Sequence, residues 1–141
     1  MSRTSERREA LRAAAAAQGL DAVLVTNLLN VRYLTGFTGS NAALLLRTDP
    51  SPTRPADVLG TDGRYTTQAG AQVPDVELLV DRATVPALAR EAVRPRSGGQ
   101  GAGRIGYESH HLTVDGLRML ESVLADAAGD AVAELTSVRR A

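Results

Sequence analysis

Apolar and polar residues alternate along the chain in a pattern that predicts short buried strands separated by amphipathic helices. Helices are predicted over residues 5–18, 64–72, 85–94 and 113–127. Strands are predicted over residues 22–26, 41–46, 57–61, 76–80, 104–108 and 131–135. The first strand segment, AVLVT, is almost entirely apolar, which is typical of a strand that is covered on both faces.

The last two predicted helices have the clearest apolar stripe. In the helix at 85–94, apolar residues recur at the spacing of one buried face, namely Val85, Leu88, Ala89, Ala92 and Val93. In the helix at 113–127, Thr113 is the predicted N-cap. The residues predicted to face inward are Val114, Leu117, Leu120 and Leu124, and those predicted to face outward are Asp115, Arg118 and Ser122.

The order of these elements predicts an α/β fold with three layers, in which helices cover both faces of a mixed sheet of five or six strands. The segment between the second and third strands contains Pro50, Pro52 and Pro55, which favour a surface loop over a helix. Without a crossover helix, the two flanking strands are expected to pair antiparallel. The sheet is therefore predicted to be mixed.

Composition excludes several classes of protein. The 141 residues fit one domain and carry no formal net charge, and the arginines are scattered, so neither nucleic acid nor an anionic membrane is an expected partner. The absence of Cys excludes disulfides and thiolate metal sites. The N-terminus, MSRTSERREALR, lacks the apolar region of a signal peptide. We therefore expect a cytoplasmic protein.

No motif in the chain predicts catalysis, a metal site or a cofactor. Residues 101–106, GAGRIG, match a dinucleotide-binding pattern but precede a strand, whereas the functional pattern opens a helix. His110 and His111 are adjacent on an extended segment and so point to opposite sides. The chain has no G-x-S-x-G motif. Asp62, between a strand and a helix, is interpreted as a helix cap.

Residues 30–40, NVRYLTGFTGS, stand out because they hold Tyr33 and Phe37, two of only four aromatic residues, in a glycine-hinged connection between two predicted strands. Such a connection can present ligand contacts. Alternatively, Tyr33 and Leu34 close the edge of the core while Gly36 and Gly39 provide turn conformations. The residues themselves leave both interpretations open.

Three segments resemble the amino-terminal domain of Xaa-Pro peptidases, the creatinase, prolidase and aminopeptidase P family of M24-type metallopeptidases. They are residues 30–40, residues 61–69 (TDGRYTTQA) and residues 105–108 (IGYE), and their order and intervals also fit. By this resemblance, residues 1–137 form the creatinase/prolidase-type N-terminal domain, with its ribonuclease-H-like fold. Residues 138–141 would begin a linker to a catalytic domain that the chain does not contain.

The resemblance implies an accessory role in the hydrolysis of X-Pro peptide bonds. In this family a C-terminal domain binds two divalent metal ions, of the manganese type, through carboxylates and a His. The expected partners are that domain, a second subunit and proline-containing peptides. The chain alone is predicted to be inactive, with no catalytic, cofactor or metal residue. Candidates for substrate gating or the dimer interface are Tyr33, Phe37, Arg64 and Tyr65.

Two other functions are compatible with the same sequence. The chain could be a free-standing α/β binding or interaction module, or the N-terminal domain of a creatinase-like amidinohydrolase, because the fold alone does not separate these from a peptidase.

Overall fold

The computed structural model describes residues 2–48, 57–94, 103–128 and 134–138. The α helices are α1 (Arg3–Ala17), α2 (Leu28–Thr35), α3 (Thr66–Gln72), α4 (Thr84–Val93) and α5 (Val114–Ala128), and a 3₁₀ helix covers Gly63–Tyr65. The strands are β1 (Ala22–Val25), β2 (Ala42–Arg47), β3 (Asp57–Thr61), β4 (Glu77–Val80), β5 (Arg104–Glu108) and β6 (Glu134–Val138).

All six strands in the described ranges join one mixed sheet in the order β4-β3-β2-β1-β5-β6. Strand β2 is antiparallel to both β1 and β3, whereas the pairs β1–β5, β3–β4 and β5–β6 are parallel. The mixed sheet and the antiparallel pairing of β2 with β3 are as predicted. The proline-rich segment between them lies outside the described residues.

Side chains of the central strands alternate between two separate cores, which gives the predicted three layers. Val23 and Val25 of β1 pack in a core with residues of α1, α2 and α3. Ala22 and Leu24 of the same strand pack in a second core with residues of α4 and α5. Because both faces are covered, the central strands read as continuous apolar runs rather than as alternating ones.

Helix α2 is the one described α helix that the sequence analysis did not predict, since residues 30–40 were expected to form a connection without a helix. The helix begins after Asn27, whose side chain accepts a hydrogen bond from the Leu29 amide, and it ends at Gly36 with φ of 84°. A left-handed residue at this position favours glycine. These two caps are recognisable in the sequence, but the segment between them is too short to show a clear helical period.

Three smaller predictions were wrong. The helix predicted at 64–72 is divided into the 3₁₀ helix and α3. The last strand covers Glu134–Val138 instead of 131–135. Val114, the first residue of α5, was predicted to face inward and is 66% exposed. Leu120 and Leu124 are buried as predicted.

A buried arginine joins α1 to the rest of the fold. Arg8 is 3% exposed; it donates hydrogen bonds to the carboxylates of Asp57 and Asp75 and, over 2.9 Å, to the carbonyl of Leu34. Asp57 opens β3 and Leu34 lies at the end of α2. One guanidinium therefore fixes the positions of three elements, in agreement with the rule that buried charges are paired.

The strand registers place the ends of several strands, and the connections that follow them, at one edge of the sheet. Ala42, at the start of β2, pairs with Thr61 at the end of β3, and Thr61 pairs with Val80 at the end of β4. Glu108 at the end of β5 pairs with Val138 at the end of β6. We call this side, where every strand except β2 ends, the carboxyl edge.

Candidate functional site

Two adjoining recesses lie at the carboxyl edge. The apolar groove, of about 510 Å³, is lined by residues 26–29, 40–42 and 111–113 together with Val85 and Met119. The polar pocket, also of about 510 Å³, is lined by Asn41, Asp62, Gly63, Arg64 and Arg82. Asn41 lines both, so the two recesses adjoin at this residue.

The apolar groove carries an unusual share of the exposed apolar surface. Leu28 is 39% exposed, Leu29 76% and Met119 40%, and Val114, 66% exposed, follows the groove residue Thr113. Large apolar side chains that cluster on a surface mark a contact site more often than isolated ones do. The groove is therefore a candidate for contact with another protein surface or a ligand.

Glu108 holds the start of α2 against the end of β5. Its Oε1 accepts hydrogen bonds from the backbone amides of Thr26, at 2.6 Å, and Asn27, at 2.8 Å. Its Oε2 accepts a hydrogen bond from the Asn30 side chain. Glu108 is 6% exposed, and a buried carboxylate needs such donors. This contact fixes the wall of the apolar groove formed by Leu28 and Leu29.

Asp62 organises the polar pocket. Its carboxylate accepts hydrogen bonds from Arg64 Nε at 2.9 Å, Arg64 Nη2 at 2.9 Å, the Arg64 backbone amide at 3.0 Å and Asn41 Nδ2 at 2.7 Å. Hydrogen bonds from Arg64 and then from Asn41 hold the pKa of Asp62 well below its usual range. The cap predicted for Asp62 is confirmed. Asp62 immediately precedes the 3₁₀ helix, and its side chain accepts a hydrogen bond from the backbone amide of Arg64, the second residue of that helix.

An aromatic pair lies beside the pocket. The rings of Phe37 and Tyr65 meet edge to face, with centroids 5.8 Å apart, a favourable geometry for two aromatic rings. Gly39 makes room for the pair, because a Cβ at this position would lie 2.6 Å from Phe37 Cε2 and 3.0 Å from Tyr65 Cδ1. The Tyr65 hydroxyl shares a hydrogen bond with Ser40. The pair thus joins residues 37–40 to the 3₁₀ helix.

The bond between Ser40 and Tyr65 predicts an altered titration. Hydrogen bonding to Ser40 lowers the pKa of Tyr65 from its ordinary value of 10.0, because the bond favours the phenolate. We expect Ser40→Ala to raise the pKa of Tyr65. The measurement is tyrosinate absorbance against pH, with the curve of the matching Tyr65→Phe variant subtracted to isolate Tyr65. An unchanged midpoint in Ser40→Ala would contradict this origin of the shift.

The structure brings together three of the four predicted site residues. Phe37, Arg64 and Tyr65 lie side by side at the carboxyl edge, and the Arg64 guanidinium lies 5.1 Å from the centre of the Tyr65 ring. Phe37 itself is only 2% exposed, so it supports this surface through Tyr65 and does not form it directly.

Tyr33 lies elsewhere, on the side of α2 that faces α1. Its ring is stacked under the Arg7 guanidinium at 4.1 Å, and Arg7 donates a hydrogen bond of 2.9 Å to the Tyr33 carbonyl. There it lines a third recess, of about 310 Å³, between α1 and α2. Tyr33 is therefore separate from the other three candidates.

Sequence reasoning missed several residues of the site, namely Leu28, Leu29, Asn41 and Arg82, and it included Glu108 only as the last residue of the third family-like segment. The exposed pair Leu28-Leu29 directly after an Asn cap was a usable signal. For Asn41 and Arg82 no local signal exists, and the contacts of Glu108 with α2 have none either, since these contacts join residues distant in sequence.

The structure also shows where the motifs tested in the sequence analysis lie. His110 and His111 are exposed in the turn after β5 and not on the extended segment that was predicted, since the His111 amide donates a hydrogen bond to the Glu108 carbonyl. No group of three or more His, Asp or Glu in the described part of the chain is arranged to hold a metal ion. Gly103 directly precedes β5, as predicted, while Gly101 lies outside the described residues. No described helix has the length and hydropathy needed to cross a bilayer.

Comparison with known proteins gives a consistent result. Residues 7–140 match the family model of the creatinase/prolidase N-terminal domain. The chain is 46% identical to the crystallised N-terminal domain of the cytoplasmic peptidase PepQ from Mycobacterium tuberculosis H37Rv, with a TM-score of 0.78, covering 94% of this chain and 92% of that one.

Two similar proteins are much longer than this chain. A Xaa-Pro dipeptidase from Bacillus anthracis is 27% identical with a TM-score of 0.70, and the match covers 95% of this chain but 34% of that one. The uncharacterized peptidase YqhT of Bacillus subtilis (strain 168) is 32% identical over 116 residues, which are 82% of this chain and 30% of YqhT. The chain thus spans about a third of these two proteins.

Proposed function

The chain belongs to the creatinase/prolidase N-terminal domain family, and we propose that it serves as the non-catalytic N-terminal domain of an Xaa-Pro peptidase. Its relatives include an Xaa-Pro dipeptidase of which it spans about a third. The bond cleaved by the whole protein, between any residue and a following proline, is part of the proposal.

The observation that carries the proposal is the meeting of the three family-like segments at the carboxyl edge. Asn30 of the first segment donates a hydrogen bond to Glu108 of the third. Ser40 of the first segment contacts Tyr65 of the second through their hydroxyl groups. Segments far apart in sequence therefore build one surface. A domain that served only as a structural scaffold would not need its family-like segments to meet at one place.

We assign this surface to the entrance of an active site that belongs to a catalytic domain. In a homodimer the edge would face the active site of the second subunit and limit the length of the peptides that enter. Tyr65 and Arg64 would form the exposed part of this gate. Phe37 would hold Tyr65 in place, and the apolar groove would accept the partner surface or the peptide itself.

The two divalent metal ions, of the manganese type, belong in this proposal to the catalytic domain. The ligand set of carboxylates and a His would come from that domain, since none is arranged for a metal in the described residues of this chain. Relatives include a peptidase named as cytoplasmic, which supports a cytoplasmic location for the protein.

Hydrolysis of an Ala-Pro dipeptide with added manganese tests the proposal. We expect activity from the protein encoded by the complete reading frame that contains this chain, and none from the 141-residue chain alone. The physical reason is that hydrolysis needs a metal-activated water held by three or more ligands.

Each other outcome favours a different function. Activity in the short chain would reveal a metal site within it and contradict an accessory role. A reading frame that stops at Ala141 would favour a free-standing binding module. A longer protein that cleaves a guanidino compound such as creatine, but no X-Pro peptide, would favour a creatinase-like amidinohydrolase.

A further inference from the structure

We propose that the polar pocket binds the carboxylate of a peptide whose apolar part lies in the adjoining groove. The pocket is lined by two arginines and one aspartate, so its side chains carry a net charge of +1 (two positive, one negative). The choice of a peptide as the source of the carboxylate rests on the proposed function. The preference for an anion rests on the pocket alone.

The acidic residue of the pocket has no capacity left for a cation. Asp62 already accepts four hydrogen bonds, two on each carboxylate oxygen: the Arg64 amide and Nε reach Oδ1, and Arg64 Nη2 and Asn41 Nδ2 reach Oδ2. Since each carboxylate oxygen offers about two acceptor positions, Asp62 is saturated. It therefore anchors Arg64 and does not compete for a ligand.

The pocket retains donors that have no partner among the described residues. Arg64 uses only Nε and Nη2 on Asp62, which leaves Nη1 to donate elsewhere, and its side chain is 70% exposed. Arg82 is exposed and forms no ion pair or hydrogen bond within the described ranges. A guanidinium with free N–H groups matches the two oxygens of a carboxylate.

The apolar groove next to the polar pocket gives the ligand its second property. Asn41 lines both recesses, so one extended molecule can place an anionic group near Arg82 and apolar side chains near Leu28. Binding sites commonly combine an apolar lining with a few polar groups that fix orientation. A short peptide with a free carboxylate has both properties, and a simple inorganic anion has only one.

The experiment is a ¹⁵N NMR titration of the 141-residue chain with Ala-Pro-Ala as the free acid and as the C-terminal amide. We expect saturable shifts at Gly63, Arg64 and Arg82, with a dissociation constant in the millimolar range and about tenfold weaker binding of the amide. Arg82→Ala should remove this preference. Arg90→Ala, an exposed arginine on α4 outside the pocket, should keep it.

A second pair of peptides distinguishes the source of the carboxylate. If a side-chain carboxylate also fits, the amide of Ala-Pro-Asp will bind about as tightly as Ala-Pro-Ala free acid, and the amide of Ala-Pro-Asn will not. If only the chain terminus fits, both amides will bind weakly. Either pattern supports the pocket and identifies which peptides it selects.

Equal shifts with acid and amide, or shifts unaffected by Arg82→Ala, would overturn the inference. The same holds if no saturable shift occurs up to concentrations well above the millimolar range. None of these results bears on hydrolysis by the longer protein, so the failure of the pocket and the failure of the proposed function remain distinguishable.

Discussion

Replacing Phe37 with Ala is expected to lower the free energy of unfolding by about 3–5 kcal/mol. The side chain is 2% exposed and lies in the core shared with α1, α2 and α3, so its removal leaves a cavity between well-packed neighbours. The measurement is urea unfolding of the 141-residue chain at neutral pH, with the midpoint compared at an unchanged slope.

Tyr33→Ala is the matched control, because it removes an aromatic ring from the same segment at an exposed site. Tyr33 is 56% exposed, and its contact with Arg7 is worth about 0.5–1 kcal/mol at such a site. We therefore expect a loss of no more than about 1 kcal/mol. In this structure Phe37 belongs to the core and Tyr33 does not. Comparable losses of stability in the two variants would contradict that distinction.

A third variant separates the stability of the fold from the position of Tyr65. Phe37→Leu keeps a branched apolar side chain and leaves a smaller cavity, so we expect it to cost less than half as much as Phe37→Ala, while it removes the ring against which Tyr65 packs. In the longer protein, it should alter selectivity for peptide length. Unchanged kinetics together with unchanged dimerisation would contradict the gating role proposed for this pair.

Replacing Glu108 with Ala is expected to destabilise the chain by about 2–4 kcal/mol, because the partly buried amides of Thr26 and Asn27 lose their acceptor at the start of α2. The favourable interaction of a negative charge with a helix N-terminus is lost as well. Urea unfolding measures the total effect. Faster hydrogen exchange at the same two amides would locate it.

Two further variants identify the cause. Glu108→Gln keeps one oxygen that can accept both backbone hydrogen bonds, so it should destabilise the chain by less than half as much as Glu108→Ala. Glu121→Ala, at an exposed position of α5, should change stability by no more than about 0.5 kcal/mol. If exchange at Thr26 and Asn27 is unchanged in Glu108→Ala, the carboxylate does not hold α2.

The helices show what local patterns can and cannot specify. Helix α4 was predicted to within one residue at each end, since its apolar stripe extends over more than two turns. Helix α2, with eight residues, was missed because its pattern is too short to distinguish from a loop. Its stability depends on Glu108, whose carboxylate comes from a strand 78 residues away from Asn30.

The candidate site was only partly predicted, again because local patterns do not specify contacts between segments distant in sequence. Phe37, Arg64 and Tyr65 were selected by their resemblance to family segments, and the structure brings them together. Tyr33 was selected by the same resemblance but lies apart from these three residues, on the side of α2 that faces α1. Side chains four residues apart, such as those of Tyr33 and Phe37, share a face only while the helix continues. Gly36 ends the helix between them.

By itself, the sequence determined the layered α/β fold, the antiparallel pairing of β2 with β3 and the family. Each depends on patterns within a segment, such as an apolar run that a sheet must bury or a motif of fixed spacing. Only the tertiary structure decided that the polar pocket unites Asn41, Asp62 and Arg82, and that Glu108 supports α2. These contacts depend on the register in which the strands pair. Register is set by the interaction between two strands, so the sequence of one strand alone does not specify it.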